Sequence, residues 1–355
     1  MRVLLSGAFN PAFEALPEYL AAALRSLGHQ VTLFDHRSFL LPGRLRARSP
    51  LLARWDRARL NRALLALARR VRPDQVIVNQ GMTIAPDTIR VLRALGMRCV
   101  NWFSDFPAQF EDGLRAAPVY DAFHLGSSWA AARHAETGHA LSSWLPFACD
   151  PIVHAPAATN RMEMDRPGRI VFVGSHYPER QVLLRHLRGL PVDVRGPGWE
   201  CATTDPHVAP MLRGGAERPA TWRRLYAGAA AVLNIHYGAF GPASASGEMA
   251  NTRLFEILGC GALQIVDRQP DAMRLFREGE HLLAFSGGEE LRARVEEALA
   301  DPARARAVAQ AGRRAVLAAH TYADRARVLL GERVFALHAS APPVARFEAV
   351  AGGRA

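Results

Sequence analysis

Two glutamates at a fixed spacing are the residues of this chain that could do chemistry most directly. Glu248 and Glu256 are separated by seven residues within the segment Gly247–Ala262, which reads GEMANTRLFEILGCGA. Between them, Asn251 and Thr252 precede an apolar run that ends in glycines, and this pattern predicts a helix starting at about these two residues. Glu256 would then lie one turn inside the helix, and Glu248 in the loop before it.

A helix start of this kind is a predicted anion site, because its free N–H groups and its dipole favour phosphate. Phosphate contact would fall to the amides of Asn251 and Thr252 and to the Arg253 guanidinium. The Glu256 carboxylate could accept hydroxyl hydrogens of the same ligand. The predicted ligand is therefore an anion that also carries hydroxyl groups, and a nucleotide diphosphate-sugar is such a molecule.

A second predicted phosphate contact follows the first predicted strand in the second half of the chain. The apolar segment 169–173 runs into a turn at Gly174 and Ser175, and Arg180 follows shortly after. A turn followed by a cation is a common phosphate-binding arrangement, so Arg180 is a candidate to neutralise a leaving diphosphate. The alternative is an exposed helical arginine. Gly196, after the next strand, is a candidate for the same cleft.

Polar residues at the ends of other predicted strands are further candidates, because the carboxyl ends of parallel strands line a ligand cleft. Asn234 and His236 end one strand and could contact a base or a sugar, with a structural histidine as the alternative. Asp105 could orient an acceptor hydroxyl or act as a base, and its alternative is a capping role in a turn. Gly7 and Ser127 follow two other strands in the same half of the chain.

The composition is that of a globular protein long enough for two domains, with 355 residues, 49% hydrophobic and 22% charged. Its four cysteines are scattered without metal-ligand or redox spacing, and no Asp-x-Asp pair stands where a metal-bound diphosphate would need one. We therefore expect no metal and no cofactor, with the nucleotide diphosphate-sugar as co-substrate. No apolar run is long enough to span a bilayer, and the first residues do not resemble a signal peptide, so the expected location is the cytoplasm.

The formal net charge is +11, and every one of the 44 basic residues is arginine. A nucleic-acid or anionic-membrane surface is one interpretation; a genome rich in arginine codons is the other. Because the arginines are dispersed rather than clustered with aromatic residues, the second interpretation is favoured and no nucleic-acid partner is expected. The denser stretch Arg44–Arg72 could still touch an acidic acceptor or a membrane, which would place the protein peripherally at the inner membrane face.

Strands and helices alternate along both halves of the chain, which predicts two α/β units with parallel sheets. The first unit spans residues 1–150. Residues 151–167, rich in alanine, proline and polar side chains, are predicted to link it to the second unit, residues 168–340. Residues 341–355 have the composition of a frayed tail.

With these motifs in hand, the chain resembles the retaining glycosyltransferases of the GT-B fold. The resemblance is carried by NTRLFEILGCGA, by VFVGSHYPER, VRGPGW and YAGAAAVLNIH, and by the helical run from Ala300 to Arg325. More narrowly, it is similar to the CgeB-like branch, named after a spore-maturation protein. VNWFSDFP and YDAFHLGSS in the first half are also similar to that branch.

The resemblance implies two Rossmann-like domains facing each other across a cleft, in a bacterial hexosyltransferase. It implies that the C-terminal domain binds the donor, that the N-terminal domain binds a glycan, lipid or protein acceptor, and that the last helix can pack back on the N-terminal domain. Glu256 would bind the donor ribose and Glu248 would face the sugar. The sugar would be transferred with retention of its anomeric configuration.

Three other functions stay open at this stage. A nucleotide-sugar epimerase or hydrolase of the same fold would bind the same ligand and act without an acceptor. A non-catalytic nucleotide-sugar-binding protein would keep affinity without turnover. An arginine-rich nucleic-acid binder would lose affinity steeply with salt, but no binding motif of that kind is present in the sequence.

Overall fold

The computed structural model describes most of the chain with all side chains. The described residues are 1–10, 15–104, 115–136, 142–157, 168–236 and 249–335. The predicted tail and most of the predicted linker lie outside these ranges. No helix within them is both long and apolar enough to cross a membrane.

The N-terminal half forms a six-stranded sheet in the order β2-β1-β3-β4-β5-β6. Every neighbouring pair is parallel, so all six strands end at the same edge. The strands are β1 Arg2–Gly7, β2 Gln30–Asp35, β3 Gln75–Asn79, β4 Arg98–Phe103, β5 Ala122–Leu125 and β6 Ser142–Trp144. The helices are α1 Leu16–Ser26, α2 Gly43–Arg48, α3 Pro50–Val71, α4 Pro86–Ala94 and α5 Ser128–Glu136.

The C-terminal half repeats this plan with a second six-stranded parallel sheet, in the order β12-β11-β10-β7-β8-β9. Its strands are β7 Ile170–Val173, β8 Val192–Arg195, β9 Leu212–Gly214, β10 Ala231–Asn234, β11 Gln264–Asp267 and β12 Leu283–Phe285. Its helices are α6 Pro178–Arg185, α7 Pro219–Ala227, α8 Thr252–Gly259, α9 Pro270–Leu275, α10 Gly288–Ala300, α11 Pro302–Ala319 and α12 Tyr322–Leu330.

Local sequence explains where many of these helices begin. Proline occupies the first helical position of six of them, where its missing N–H costs nothing and its fixed φ suits the helix. Thr321 and Asp324 form a reciprocal capping box at the start of α12. Each sheet has its own buried apolar core, the N-terminal one around residues such as Leu4 and Val78 and the C-terminal one around Phe172 and Leu233.

The chain crosses between the halves twice, and the two crossings are bound to each other. Cys149 donates its N–H to the His320 carbonyl at 2.9 Å, and the Tyr322 N–H donates to the Cys149 carbonyl at 3.0 Å. Arg325, fully buried, donates to the carbonyls of Pro146 and Phe147. After α11 the chain therefore returns to the N-terminal half, where α12 packs beside α1.

These features confirm the predicted fold class, two Rossmann-like α/β halves with parallel sheets. The sequence patterns missed three strands, β6, β9 and β12, each three residues long. Residues 151–157 of the predicted linker, and Asp150 before them, are described. Asp150 accepts the N–H groups of Ile152 and Val153, and His154 is fully buried.

Candidate donor site

The start of α8 lies at the carboxyl edge of the C-terminal sheet. Asn251 is its N-cap, and the side-chain oxygen of Asn251 accepts the Leu254 N–H at 2.9 Å. The same side chain exchanges two amide hydrogen bonds, of 2.9 and 3.0 Å, with Asn234 at the end of β10. The predicted helix start is therefore present, and Thr252, at the first helical position, lies half-buried beside it.

A histidine–aspartate pair supports this helix start through hydrogen bonds. The Nδ1 atom of His236 lies 2.8 Å from the carboxylate of Asp267, which also accepts the His236 backbone N–H at 2.8 Å. The Asn251 backbone N–H donates to the other ring nitrogen of His236 at 3.1 Å, so this N–H is already used and the predicted phosphate contact through the helix start is left to the Thr252 N–H and Arg253. Because a carboxylate only accepts, Nδ1 carries the hydrogen and Nε2 is the acceptor. Both ring nitrogens of His236 are thus engaged by the protein, which makes it a positioning residue for α8.

The Asp267 carboxylate stays ionised in this buried setting. Burial alone would raise its pKa, but the His236 ring, the Gln269 side chain and the His236 backbone N–H outweigh it, and the pKa lies below its usual value. This residue was not singled out from the sequence. Its position as the last residue of β11, at the ligand edge of a parallel sheet, was the available signal.

Arg180 lies buried on the cleft side of β7 and β10. Its guanidinium donates to the Ile235 carbonyl at 2.6 and 3.0 Å and to the Ser175 carbonyl at 2.8 Å. No carboxylate pairs with it among the described residues. Burial, followed by the nearby Arg253 charge, lowers its pKa to about 10. Three of its five N–H groups donate to described acceptors, so two could still donate to a ligand.

Arg253, in the first turn of α8, brings a second cation to the same place. A Cβ built on Gly174 would lie 3.0 Å from its guanidinium, so the side chain lies against the end of β7. Its Nε atom is buried without a hydrogen-bond partner in the part of the chain that the structure describes. Burial raises the pKa of Tyr226, and the adjacent Arg253 guanidinium opposes that rise. The cluster of Arg180 and Arg253 therefore brings two positive charges together, and within the described ranges neither arginine forms an ion pair, although the carboxylates of Asp267 and Glu179 act on Arg180 from further away.

The two predicted donor-site glycines lie against each other in the backbone. The Gly174 N–H donates to the Arg195 carbonyl at 2.8 Å, and its own carbonyl accepts the indole N–H of Trp199 at 2.8 Å. Gly196 has φ +142°, and a Cβ there would lie 2.0 Å from the Gly174 carbonyl oxygen. Only glycine fits that crossing. Ser175 contributes its carbonyl to Arg180, so these residues shape the cleft wall.

Glu256 lies half-buried one turn into α8, as the sequence predicts. Its charge acts on the buried ring of His154, in the crossing segment. Burial lowers the pKa of His154, and the Glu256 carboxylate opposes that shift. His154 accepts the Asp150 N–H through Nδ1 at 2.9 Å, while its Nε2 has no described partner. The first interdomain crossing therefore forms part of the surroundings of Glu256.

The acceptor-side candidates end strands of the N-terminal sheet. Gly7 ends β1, and a Cβ there would lie 2.8 Å from Pro17 of α1, so its small size is required by packing. Ser127 is fully buried, and its hydroxyl accepts the Ala130 N–H at 3.4 Å in the first turn of α5. Neither offers a side chain to the cleft. Asp105 and Glu248 lie outside the described residues, so their predicted roles stay predictions.

The two halves meet where the N-terminal sheet faces the start of α8. A Cβ on Gly126, which follows β5, would lie 3.4 Å from the sulfur of Met249, two residues before the Asn251 cap. The cluster of Arg180 and Arg253, called the donor cluster below, therefore faces the carboxyl edge of the N-terminal sheet. No group of three or more His, Cys, Asp or Glu residues within the described ranges is arranged to hold a metal ion, and metal independence stays a prediction.

Comparison with known proteins agrees with this architecture. Residues 179–331, which contain Arg180 and all of α8, match the family model described as glycosyl transferase-like. The chain is similar in structure to HepE from Anabaena in complex with UDP-glucose, at 12% identity and a TM-score of 0.62, covering 94% of this chain and 100% of that chain. Comparison with curated protein sequences gives no match.

Two further solved structures are similar over nearly their whole length. Sucrose-phosphate synthase from Thermosynechococcus elongatus is 14% identical with a TM-score of 0.67, covering 93% of this chain and 97% of that chain. Trehalose 6-phosphate synthase from Burkholderia multivorans is 12% identical with a TM-score of 0.64, covering 94% and 97%. At these identities the likeness shows the fold, which is the GT-B arrangement.

Proposed function

We propose that this protein is a glycosyltransferase that moves a hexose from a nucleotide diphosphate-sugar to an acceptor, with retention of configuration. The observation that carries the proposal is the pair of cations Arg180 and Arg253 beside the capped start of α8. Neither arginine has a described carboxylate partner, and both face the ligand edge of a parallel sheet. The family match over the same residues and the UDP-glucose bound to HepE support it.

The diphosphate is the part of the donor that this cluster fits. Two guanidinium groups and the N–H groups of Thr252 and Arg253, at the start of α8, can share the charge that builds on the leaving diphosphate. Because Arg180 is already held by two carbonyls, little reorganisation is needed when that charge appears. In this proposal Glu256, one turn further along α8, accepts hydrogen bonds from the donor ribose hydroxyls.

In the proposed transfer step, the bond between the anomeric carbon and the β-phosphate oxygen breaks, and the electron pair leaves with the diphosphate. The acceptor hydroxyl oxygen bonds to the anomeric carbon on the face that the diphosphate leaves, which retains the configuration. The hydroxyl proton passes to the departing diphosphate oxygen. Asp105 and Glu248 would orient the acceptor and the sugar, and no protein nucleophile or covalent intermediate is proposed.

Calorimetric titration with UDP, GDP, dTDP and CDP tests the donor site. One diphosphate should bind the wild-type protein, and Glu256→Ala should bind it at least tenfold more weakly, because the ribose hydroxyls lose their acceptor. Glu332→Ala, at an exposed glutamate beyond α12, is the matched control and should bind like the wild type. If no diphosphate binds to any of the three proteins, the proposed function is wrong.

Product analysis with the matching nucleotide sugar separates transfer from its rivals. A transferase should release nucleoside diphosphate faster when a cell extract supplying acceptors is added, with the sugar recovered on another molecule. Free sugar formed at the same rate without extract would instead identify a hydrolase, and an isomerised nucleotide sugar an epimerase. Binding with no turnover under any condition would identify a non-catalytic protein.

A further inference from the structure

Exposed apolar side chains are concentrated in one short stretch of the N-terminal half. Leu40, Leu51 and Trp55 are 63%, 77% and 47% exposed. Leu45 and Leu52, between them in the chain, are exposed as well. These five residues, with the arginines of α2 and the first turns of α3, are called the 40–55 surface below. A single exposed leucine needs no explanation, but a cluster of this kind marks a contact with another molecule.

The 40–55 surface is held in a fixed shape by a buried aspartate. Asp56 in α3 accepts the N–H groups of Leu40 and Leu41 at 3.0 and 2.9 Å. It also pairs with Arg59 at 3.1 Å, and Arg46 donates to the Leu41 carbonyl at 3.1 Å. The loop before α2 is therefore tied to α3. These bonds satisfy backbone groups of Leu40 and Leu41 within the segment, while its apolar side chains stay exposed.

The charge around these side chains has one sign. Between residues 44 and 72 the chain has ten arginines and a single acidic residue, the buried Asp56. Arg44, Arg48, Arg54 and Arg57 are exposed, and within the described ranges none of them has a side-chain hydrogen bond or an ion pair. Arginine side chains of this kind attract anionic surfaces, and this electrostatic attraction weakens as the salt concentration rises.

The position of the surface in the fold connects it with the cleft. Asn61, midway along α3, bonds to the Thr83 carbonyl and the Ala85 N–H in the loop that follows β3. Asn61 is thus level with the carboxyl edge of the N-terminal sheet. The eleven residues of α3 before it, Pro50 to Leu60, extend about 16 Å beyond that edge at 1.5 Å per residue. The 40–55 surface therefore overhangs the side of the sheet that faces the donor cluster.

We propose that the 40–55 surface docks this protein on an anionic lipid bilayer, with Leu51 and Trp55 entering the interface and the arginines contacting lipid phosphates. The combination favours lipid over other polyanions. Arginines alone would suit nucleic acid, whereas exposed leucines beside a tryptophan gain free energy only where they leave water. Charge complementarity and apolar exposure lie on the same surface, as interfacial membrane anchors require.

One consequence rests on the function proposed above: the acceptor is a component of that membrane. The docked surface would place the acceptor side of the cleft against the bilayer, so an acceptor hydroxyl on a lipid headgroup could reach the donor. Of the glycan, lipid and protein acceptors that the sequence leaves open, this geometry selects the lipid.

Vesicle co-sedimentation of the whole protein tests the docking. Vesicles with phosphatidylglycerol should bind the protein, and vesicles of phosphatidylcholine alone should bind it far less. Arg44→Gln/Arg48→Gln/Arg54→Gln should lower the partition coefficient by roughly a hundredfold, at about fivefold for each arginine removed. The control Arg304→Gln/Arg306→Gln/Arg314→Gln removes the same charge from α11 and should bind at least ten times more tightly than the first triple variant.

The apolar contact has a separate readout. Brominated lipid tails should quench the fluorescence of the wild-type protein, and Trp55→Phe should lose that quenching while it still binds. Leu51→Ser/Trp55→Ser should bind vesicles at least tenfold more weakly than Val91→Ser/Leu95→Ser, which removes two exposed apolar side chains elsewhere in the same half. Equal vesicle binding by these two double variants would overturn the proposal.

Other partners give different results. A dimer that dissociates in Leu51→Ser/Trp55→Ser, measured by light scattering without vesicles, would assign the surface to a second copy of the chain. Salt-sensitive binding to single-stranded RNA that exceeds binding to phosphatidylglycerol vesicles would assign it to nucleic acid. Nucleoside-diphosphate titration of each variant reports the donor site independently, so loss of docking with unchanged diphosphate binding concerns the 40–55 surface alone.

Discussion

The Asp271 carboxylate, in the C-terminal half, accepts the backbone N–H of Ser128, in the N-terminal half, at 3.0 Å. Ser128 is the first residue of α5, so an acidic side chain from α9 in one half caps a helix that belongs to the other half. Asp271 is fully buried, and it also pairs with Arg274 at 3.2 Å while its carboxylate contacts the Ser128 hydroxyl. This contact fixes the relative position of the two halves near the cleft.

Removing this capping contact should loosen the two halves without unfolding either of them. For Asp271→Ala we expect a larger radius of gyration than for the wild type in small-angle X-ray scattering of the free protein. Asp301→Ala is the matched control, because Asp301 caps α11 within the C-terminal half by accepting the Arg304 N–H at 2.9 Å. It should lower stability and leave the radius of gyration unchanged. Identical scattering for both variants would contradict the prediction.

Arg180 should matter for phosphate and little for the nucleoside. Arg180→Met should raise the dissociation constant of the preferred nucleoside diphosphate by at least tenfold, because one of two unpaired cations is lost. Affinity for the nucleoside itself should change less than threefold. Arg180→Lys should lie between, since an ammonium cannot reproduce the fork that spans the carbonyls of Ile235 and Ser175. Calorimetry measures all three, with Arg306→Met as the surface control.

Asp267→Asn should weaken the start of α8. The amide cannot stabilise the His236 ring as the carboxylate does, and we expect the free energy of unfolding in urea to fall by about 1–3 kcal/mol. Diphosphate affinity should fall as well, because His236 positions the Asn251 cap. Asp87→Asn, at an exposed aspartate in the first turn of α4, is the control. A variant with lower stability and unchanged diphosphate affinity would show that the pair only supports the fold.

Acid should begin to destabilise the protein near pH 6.5, before most carboxylates are protonated. Burial is the main cause that lowers the pKa of His36 to about 4, and burial followed by the Arg98 charge lowers that of His124 to about 4. Each folded pKa lies below the usual 6.5, so the unfolded chain binds more protons between pH 6.5 and 4. The free energy of unfolding should therefore fall with pH in that window, by at most about 1.4 kcal/mol per pH unit for each histidine.

Urea denaturation at several pH values measures this slope. His124→Asn should reduce it by about one proton, whatever the effect on stability at neutral pH. His207→Asn, at an exposed histidine, should leave the slope as it is in the wild type. An unchanged slope in His124→Asn would mean that His124 does not contribute to the acid transition.

What the sequence by itself determined is local. The start of α8 could be predicted because its cap, Asn251, accepts the N–H of Leu254, which is only three residues further along the chain. The alternation of strands and helices was also visible, because buried parallel strands such as Val76–Val78 are apolar throughout and their helices are amphipathic. The strands β6, β9 and β12 were not predicted because three residues are too few to show a hydrophobic period. They form by pairing with a neighbouring strand.

What only the tertiary structure decided is which distant residues meet. Arg180 and Arg253 converge because β10 pairs with β7 at the centre of the second sheet, and residue spacing does not fix that strand order. Asp267 reaches His236 because β11 is the neighbour of β10, and Asp271 reaches Ser128 only once both halves are folded and docked. Tertiary contacts also gave two predicted ligand residues bonds to the protein. His236 bonds to Asp267 and to the Asn251 N–H, and Asn234 bonds to the Asn251 side chain, because the cap of a helix start must itself be held in place.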